Sequence, residues 1–361
     1  MLILDQPPAA VLHDLPMPLN KAKGYAEPDQ RLEITYAFPC APFHPVMAGF
    51  QEEDFALWGD DFYIAHECLE IPQEGNVVPL LVAGTDRAGL VSSPLMEMRY
   101  GRGSYLISTM EILDKLDQSP VPARLLGALA CYRPHWDVRT VGISVEDDLW
   151  RRLLEVGYVG DRRPPQETIG AEIAVLDGLA MEALNPACVR EALMAGHTVC
   201  LHGLTPEQTR RVLSFLQLPG DVLPGTARPG EWDVVRHAHP LTDGMTNNAL
   251  YWVVHKAKLA PWAAASTHPE PASARIRLPE LSSQAISLTR RGALTVYRVG
   301  SGTLVFDHLR WHMTDIEEPE RPRRYGRCLM TNLGVPLLKG VEKQISREFE
   351  TEAERRERGH I

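Results

Sequence analysis

The chain has 361 residues, 44% of them hydrophobic, and a formal net charge of −10. That length holds two or three domains of roughly 100–200 residues each. The excess of acids (47 against 37 bases) excludes a nucleic-acid partner, which would need a basic face, and no apolar run approaches the roughly 18–20 residues of a membrane span.

The N-terminal stretch MLILDQPPAAVLHDLP has no basic segment and carries Asp5, so it does not read as a signal peptide; the compartment defaults to the cytoplasm. HPVMAGFQEEDFALW follows at residues 44–58, with a Pro that biases His44 away from helix and a Gly suited to positive φ. It marks a sharp turn into an aromatic-bearing segment. Its His either caps backbone groups or faces a ligand at the mouth of a sheet. MRYGRGSYLIST, from Met98, sets Gly-x-Gly ahead of a run of β-formers, which reads as a tight hairpin. The dinucleotide fingerprint would instead place its glycines between a strand and a helix. LLGALACY, from Leu125, is helical.

From Thr140 the pattern alternates. TVGISV is a strand, and EDDLWRRLLEVG an amphipathic helix with Leu149, Leu153 and Val156 on one face, ended by Gly157. AEIAVLDGL, from Ala171, is a second strand, leading into a helix from about Met181 to Ala195. HTVCLHGL is a third strand. TPEQTRRVLSFL is a helix opened by a capping box (Thr205, Gln208) with Pro206 in its first position. Alternating strands and helices imply a parallel sheet covered on both faces.

The earlier phrases then return. HPLTDGMTNNALYW (residues 239–252) repeats the His-Pro-to-Trp stretch, with His44, Gly49 and Trp58 answered by His239, Gly244 and Trp252. YRVGSGTLVFDH, from Tyr297, repeats the Gly-x-Gly strand, and LMTNLGVP, from Leu329, echoes LLGALACY. Kept order with slight drift is the mark of a tandem duplication, about 200 residues per unit. MLILDQ aligns with TVCLHG, so the first copy is expected to begin at its third strand, as the C-terminal piece of a longer protein would. The expected units are 1–137 (truncated), 138–338 (complete) and 339–361 (a charged tail). The sheet edge left open by the truncation needs cover, from upstream domains or another subunit.

Together the HP…G…W phrase, the Gly-x-Gly strand and the following helix resemble the class I glutamine-amidotransferase-like fold. The likeness is to its degenerate β-galactosidase trimerisation and trehalose-utilisation types. LILDQPPAAVL followed by HPVMAGFQEEDFALWGDD resembles the tandem domains at the C-termini of large bacterial glycoside hydrolases of the family 2 kind. The likeness runs from about residue 1 to 338 and implies two tandem flavodoxin-like, doubly wound parallel-sheet α/β domains with a carbohydrate-related role.

An active member of that fold needs a cysteine on a glycine-flanked strand-to-helix turn, with a His base and an acid downstream. Here Cys200 lies within the strand, between Thr198 and His202, and the first copy reads LILDQPP with no cysteine. No catalytic residue is therefore assigned, and no cofactor. The cysteines (Cys40, Cys68, Cys131, Cys188, Cys200, Cys328) lack the spacing of a zinc frame or disulfide scaffold. His237 with His239 supplies two metal ligands where zinc wants three or four. The acids at Glu52, Asp60 and Asp147 show no pairing of the glycosidase kind. The basic clusters from Arg162 and Arg321 read as solvated loops or helix starts. Carbohydrate contact, the remaining functional option, falls on His44, Trp58, His239 and Trp252, because aromatic faces stack on sugar rings; core packing is the commoner use of such residues. The favoured function is a non-catalytic region of a carbohydrate-active enzyme serving in packing, assembly or sugar contact. The alternatives are a cysteine hydrolase using Cys200 and a free-standing sugar-binding module.

Overall fold

The structure is a computed structural model, and it describes residues 1–5, 7–22, 33–85, 89–134, 139–225, 234–236, 238–250, 272–279, 282–313 and 320–338. Trp252, His237 and the 339–361 segment lie outside the described residues.

The first half contains β1 (Leu2–Ile3), α1 (Ala9–His13), β2 (Phe38–Pro39), β3 (Leu69–Glu70), β4 (Val77–Thr85), β5 (Gly89–Tyr100), β6 (Gly103–Ser108) and α2 (Pro120–Cys131). Its strands run β1-β6-β5-β4-β2, with β3 against β5. Only β1 and β6 are parallel; the other pairs are antiparallel. The sequence predicts a doubly wound parallel sheet in each half, and the first half does not have one. Its sheet is hairpin-built, because the chain between β1 and β6 folds into antiparallel strands rather than crossover helices.

The second half begins with β7 (Val141–Ser144), α3 (Asp147–Glu155), α4 (Pro165–Thr168), β8 (Ile173–Leu176), α5 (Gly178–Glu182), α6 (Pro186–Met194), β9 (Thr198–His202) and α7 (Pro206–Leu216). There follow β10 (Asp221–Pro224), α8 (Asn247–Leu250), β11 (Ala274–Arg277), β12 (Ala285–Ser287), β13 (Leu294–Val299), β14 (Gly302–Asp307) and α9 (Glu320–Leu333). Here β7, β8, β9 and β14 are parallel, and β13 and β12 extend the sheet antiparallel. The protein is thus mixed α/β with a parallel portion. β8 is buried on both faces, as a strand covered on two sides by helices must be.

Local chemistry explains these boundaries. Thr205 Oγ1 accepts from the Gln208 N–H at 3.2 Å and Gln208 Oε1 accepts from the Thr205 N–H at 2.9 Å, closing the expected capping box of α7. The single helix expected over 181–195 is instead two, α5 and α6. Pro186 cannot continue the hydrogen-bond ladder of α5, and Asn185 caps the new start by accepting from Ala187 N. The cluster from Arg321 does lie at a helix start, but Arg327 is fully buried rather than solvated.

Both Gly-x-Gly phrases form two-residue hairpins, with Tyr100 opposite Gly103 and Val299 opposite Gly302. Gly101 and Gly300 take φ of 58° and 59°, the positive value a primed hairpin turn demands. The order β1-β6-β5-β4 corresponds, strand for strand, to β9-β14-β13-β12, with the same parallel and antiparallel pairings.

The halves meet along a polar and apolar seam. Gly244 N–H donates to Cys40 O at 2.7 Å, Phe43 N–H to Asp243 Oδ1 at 3.3 Å, and Gly75 N–H to Val156 O at 3.0 Å. The buried Arg327 of α9 donates to Val77 O at the start of β4.

Candidate functional site

In an open α/β sheet, ligand crevices lie beyond the carboxyl ends of parallel strands. In the second half that edge is formed by the ends of β7, β8, β9 and β14, and it carries a crevice of about 210 Å³. Its walls hold Glu146 ahead of α3, Asp177 and Glu182 around α5, and Thr205 and Gln208 at the start of α7; His202 and His312 also line it.

The last residue of β9, His202, sits beside the last residue of β14, Asp307. His202 Nδ1 is 2.7 Å from Asp307 Oδ2, and His202 Nε2 is 2.8 Å from His312 Nδ1. Asp307 is fully buried, and its other contacts are all donors: Trp311 Nε1 at 3.0 Å, Tyr325 OH at 2.7 Å and Leu309 N at 3.2 Å. With Trp311, Tyr325 and Leu309 all donating to this carboxyl, a proton on His202 Nδ1 makes the imidazole one more donor to it. Burial pushes the His312 imidazole down to about 2, helped by the neighbouring His202, Arg310 and Arg152. One proton lies between His202 Nε2 and His312 Nδ1, and whichever ring carries it sets the tautomer that His312 presents.

Asp177 caps α5 through Ala180 N at 2.9 Å and also accepts from Glu146 N; Gln208 Nε2 donates to Glu182 at 2.9 Å. Burial, followed by Asp177 and Asp148, raises the Glu146 carboxyl.

Cys200 lies one turn of the pleat further back in β9, fully buried, with its thiol pushed well up by burial and then by the charge of Asp307. A nucleophilic cysteine is partly exposed and electropositively surrounded. Cys200 is neither.

Of the sugar-contact candidates, His44, Trp58 and His239 lie among the described residues. His44 is 4% exposed. Its Nδ1 accepts from Val46 N at 3.3 Å, fixing the proton on Nε2, which faces Glu97 at 3.3 Å. Glu97 is also bound by Arg99 at 3.1 Å and the Tyr132 hydroxyl at 2.8 Å. Burial alone would raise that carboxyl, but these partners outweigh it and hold it below the usual range. Trp58 is 1% exposed, its Nε1 donating to Asp54 O at 2.8 Å. Burial leaves neither ring a face for a sugar, which corrects that expectation for His44 and Trp58. His239 also caps its turn, accepting from Leu241 N at 3.1 Å, so the capping reading holds for both histidines. Half-buried, with burial lowering its imidazole, His239 lines an open cleft of about 950 Å³ shared with Arg236, Arg290 and Arg298. Among the described residues, that cleft shows no pair of titratable side chains in hydrogen-bond contact comparable to His202 and His312.

Asp61, His66 and Glu111 approach each other closely enough to suggest a metal. Lys115, 3% exposed, inserts its ammonium between Asp61 and Glu111 (3.6 Å), while His66 Nε2 lies 2.8 Å from Glu111. The Lys115 ammonium already supplies positive charge to both carboxylates, so the set does not fit a resident metal.

No protein-family model matches the chain, and no curated protein does. Among solved structures, it is similar to a putative GMP synthase component from Thermoplasma acidophilum, with 12% identity and a TM-score of 0.32 over 52% of this chain and 94% of that one. It is also similar to a beta-galactosidase from Rahnella sp. R3, with 13% identity and a TM-score of 0.33 over 60% of this chain and 35% of that one.

The Asp307–His202–His312 chain was not identified from the sequence. Its signal lies in DHLRWH (307–312), directly after the Gly-x-Gly strand, and in the His at the end of TVCLH. The first half has no equivalent: Asp5, past the end of β1, accepts from Ile112 and Leu113 N–H instead.

Proposed function

We propose that the chain is a tandem of two amidotransferase-like units, 1–137 and 138–338 followed by the 339–361 tail, that has lost thiol chemistry. In this reading it serves a larger carbohydrate-active enzyme of the β-galactosidase-like kind, through packing, assembly with upstream domains or another subunit, or sugar contact. The shared strand order and the twin His-capped turns support the tandem. The carbohydrate setting rests on the sequence resemblance alone.

The observation that carries the loss of thiol chemistry is the placement of Cys200. A cysteine inside a fully covered strand, its thiol raised by burial, offers no thiolate to a substrate. His202, itself buried, occupies the carboxyl end of that strand, where a nucleophile would have to stand. This disfavours a cysteine hydrolase working through Cys200.

The test is native-state alkylation by iodoacetamide, read by peptide mass spectrometry, beside a glutamine-hydrolysis assay of the wild type and Cys200→Ala. Exposed Cys131 is expected to label and Cys200 to stay unmodified until the chain is unfolded. Neither protein is expected to hydrolyse glutamine. Rapid labelling of Cys200, or glutamine hydrolysis lost in Cys200→Ala, would overturn the proposal.

A further inference from the structure

The crevice at the ends of β7, β8, β9 and β14 holds more machinery than a packing surface needs. A buried aspartate, an imidazole locked to it and a second imidazole on the crevice wall form one continuous hydrogen-bonded line, with separations of 2.7 and 2.8 Å. A histidine retained only for packing needs one satisfied nitrogen. Here His202 is satisfied at both, and the second bond ties the crevice-lining His312 to the buried carboxyl. We propose that this crevice is a binding site for a small, uncharged, hydroxyl-bearing molecule, which hydrogen-bonds through a hydroxyl to His312, with His202 and Asp307 behind it in one hydrogen-bonded line. The proposal deepens the sugar-contact part of the function above and rests on it for the ligand class.

Size and charge narrow the occupant. About 210 Å³ is below the roughly 300 Å³ at which sites for drug-sized ligands begin. Glu146, Asp177 and Glu182 around the rim repel an anion. They do not call for a cation either. Asp177 already accepts one N–H on each oxygen, from Glu146 and Ala180, Glu182 is engaged by Gln208, and the charges of Arg152 and Arg310 bear on His312. What remains is a neutral polar molecule able to use hydroxyl and amide groups (Thr205, Gln208) beside the apolar side chains of Leu149 and Leu179. A polyol or monosaccharide has that character.

The experiment is imidazole ¹H–¹⁵N spectroscopy of the full-length chain, titrated at millimolar concentration with D-galactose and glycerol, and with acetate, ethylammonium and zinc as controls. A polyol is expected to shift the His312 ring nitrogens and, in step, the His202 Hδ1 resonance. His312→Gln should weaken that response roughly tenfold or more, the value of one hydrogen bond of about 1.4 kcal/mol, while leaving the fold intact. Asp307→Asn should uncouple the His202 signal from the titration; if that variant does not fold, the wild-type titration decides. No His312 response to either polyol, a response only to acetate, ethylammonium or zinc, or a polyol response unchanged in His312→Gln would each overturn the proposal. Such a failure would leave the alkylation result for Cys200 standing, so the two readings fail separately.

Discussion

Asp243 shows how one carboxyl at the seam ties stability to pH. It is 9% exposed, and burial raises it to about 6 from an ordinary 3.8, against the opposing pull of the Phe43 N–H, His44 and Arg99. A carboxyl raised by folding is protonated more readily in the native chain than in the unfolded one. Its contribution is therefore full below pH 3.8 and lost as pH rises through about 6. Asp243→Asn keeps the acceptor for Phe43 but removes the titration. The stability of the variant minus that of the wild type, from urea midpoints, is expected to grow between pH 4 and pH 7 by up to about 3 kcal/mol. The buried His308, pushed down to about 4 by burial, acts in the opposite sense, but it is common to both proteins and cancels in the difference. A difference flat with pH would mean that the carboxyl is ionised throughout, held by His44 and Arg99.

The two His-Pro turns make a matched pair of elements in different surroundings. Both place a glycine at positive φ, 81° for Gly49 and 73° for Gly244. A Cβ on Gly49 would meet nothing within 4 Å, whereas one on Gly244 would lie 2.9 Å from Pro79 Cδ in β4. Gly49→Ala is expected to cost only the left-handed backbone strain, about 1–2 kcal/mol. Gly244→Ala adds an overpacked contact at the seam and should cost about 2–5 kcal/mol in all. Thermal melts of the two variants check this, and equal losses would place the seam elsewhere. The turns, the Gly-x-Gly hairpins and the α7 capping box were legible in the sequence because each is a local geometry carried by a few residues: His-Pro, positive-φ glycine, Thr with Gln three positions on. What escaped was non-local. His202 is about a hundred residues from Asp307 and His312 in sequence and meets them only through the pairing of β9 with β14. The burial of Trp58 and the Glu97 partnership of His44 likewise depend on what packs against the turn.

At the scale of the whole molecule, the question is whether the two sheets unfold together. Separate apolar clusters underlie them, one around β4, β5 and the His44 turn, others around β7, β8, β9 and α9, so each half has a core of its own. What crosses the seam is largely polar: the Gly244–Cys40 and Phe43–Asp243 bonds, and Arg99 reaching Thr331 O at 3.5 Å. Arg327 is the deepest of these links, fully buried, donating to Val77 O and to Cys328 Sγ at 3.3 Å, with its Nε atom left without a partner. A buried guanidinium with incomplete bonding is costly to hold but costlier to delete, since deletion leaves both a void and an unpaired carbonyl. Arg327→Ala should therefore lose about 3–5 kcal/mol, and Arg327→Met, which refills most of the volume but not the bond to Val77 O, about 1–3 kcal/mol. Because the loss falls on the link rather than on either core, calorimetry should resolve two transitions in Arg327→Ala where the wild type shows one. A single transition in the alanine variant, shifted down as a unit, would show that the apolar seam contacts, and not this arginine, bind the halves into one cooperative body.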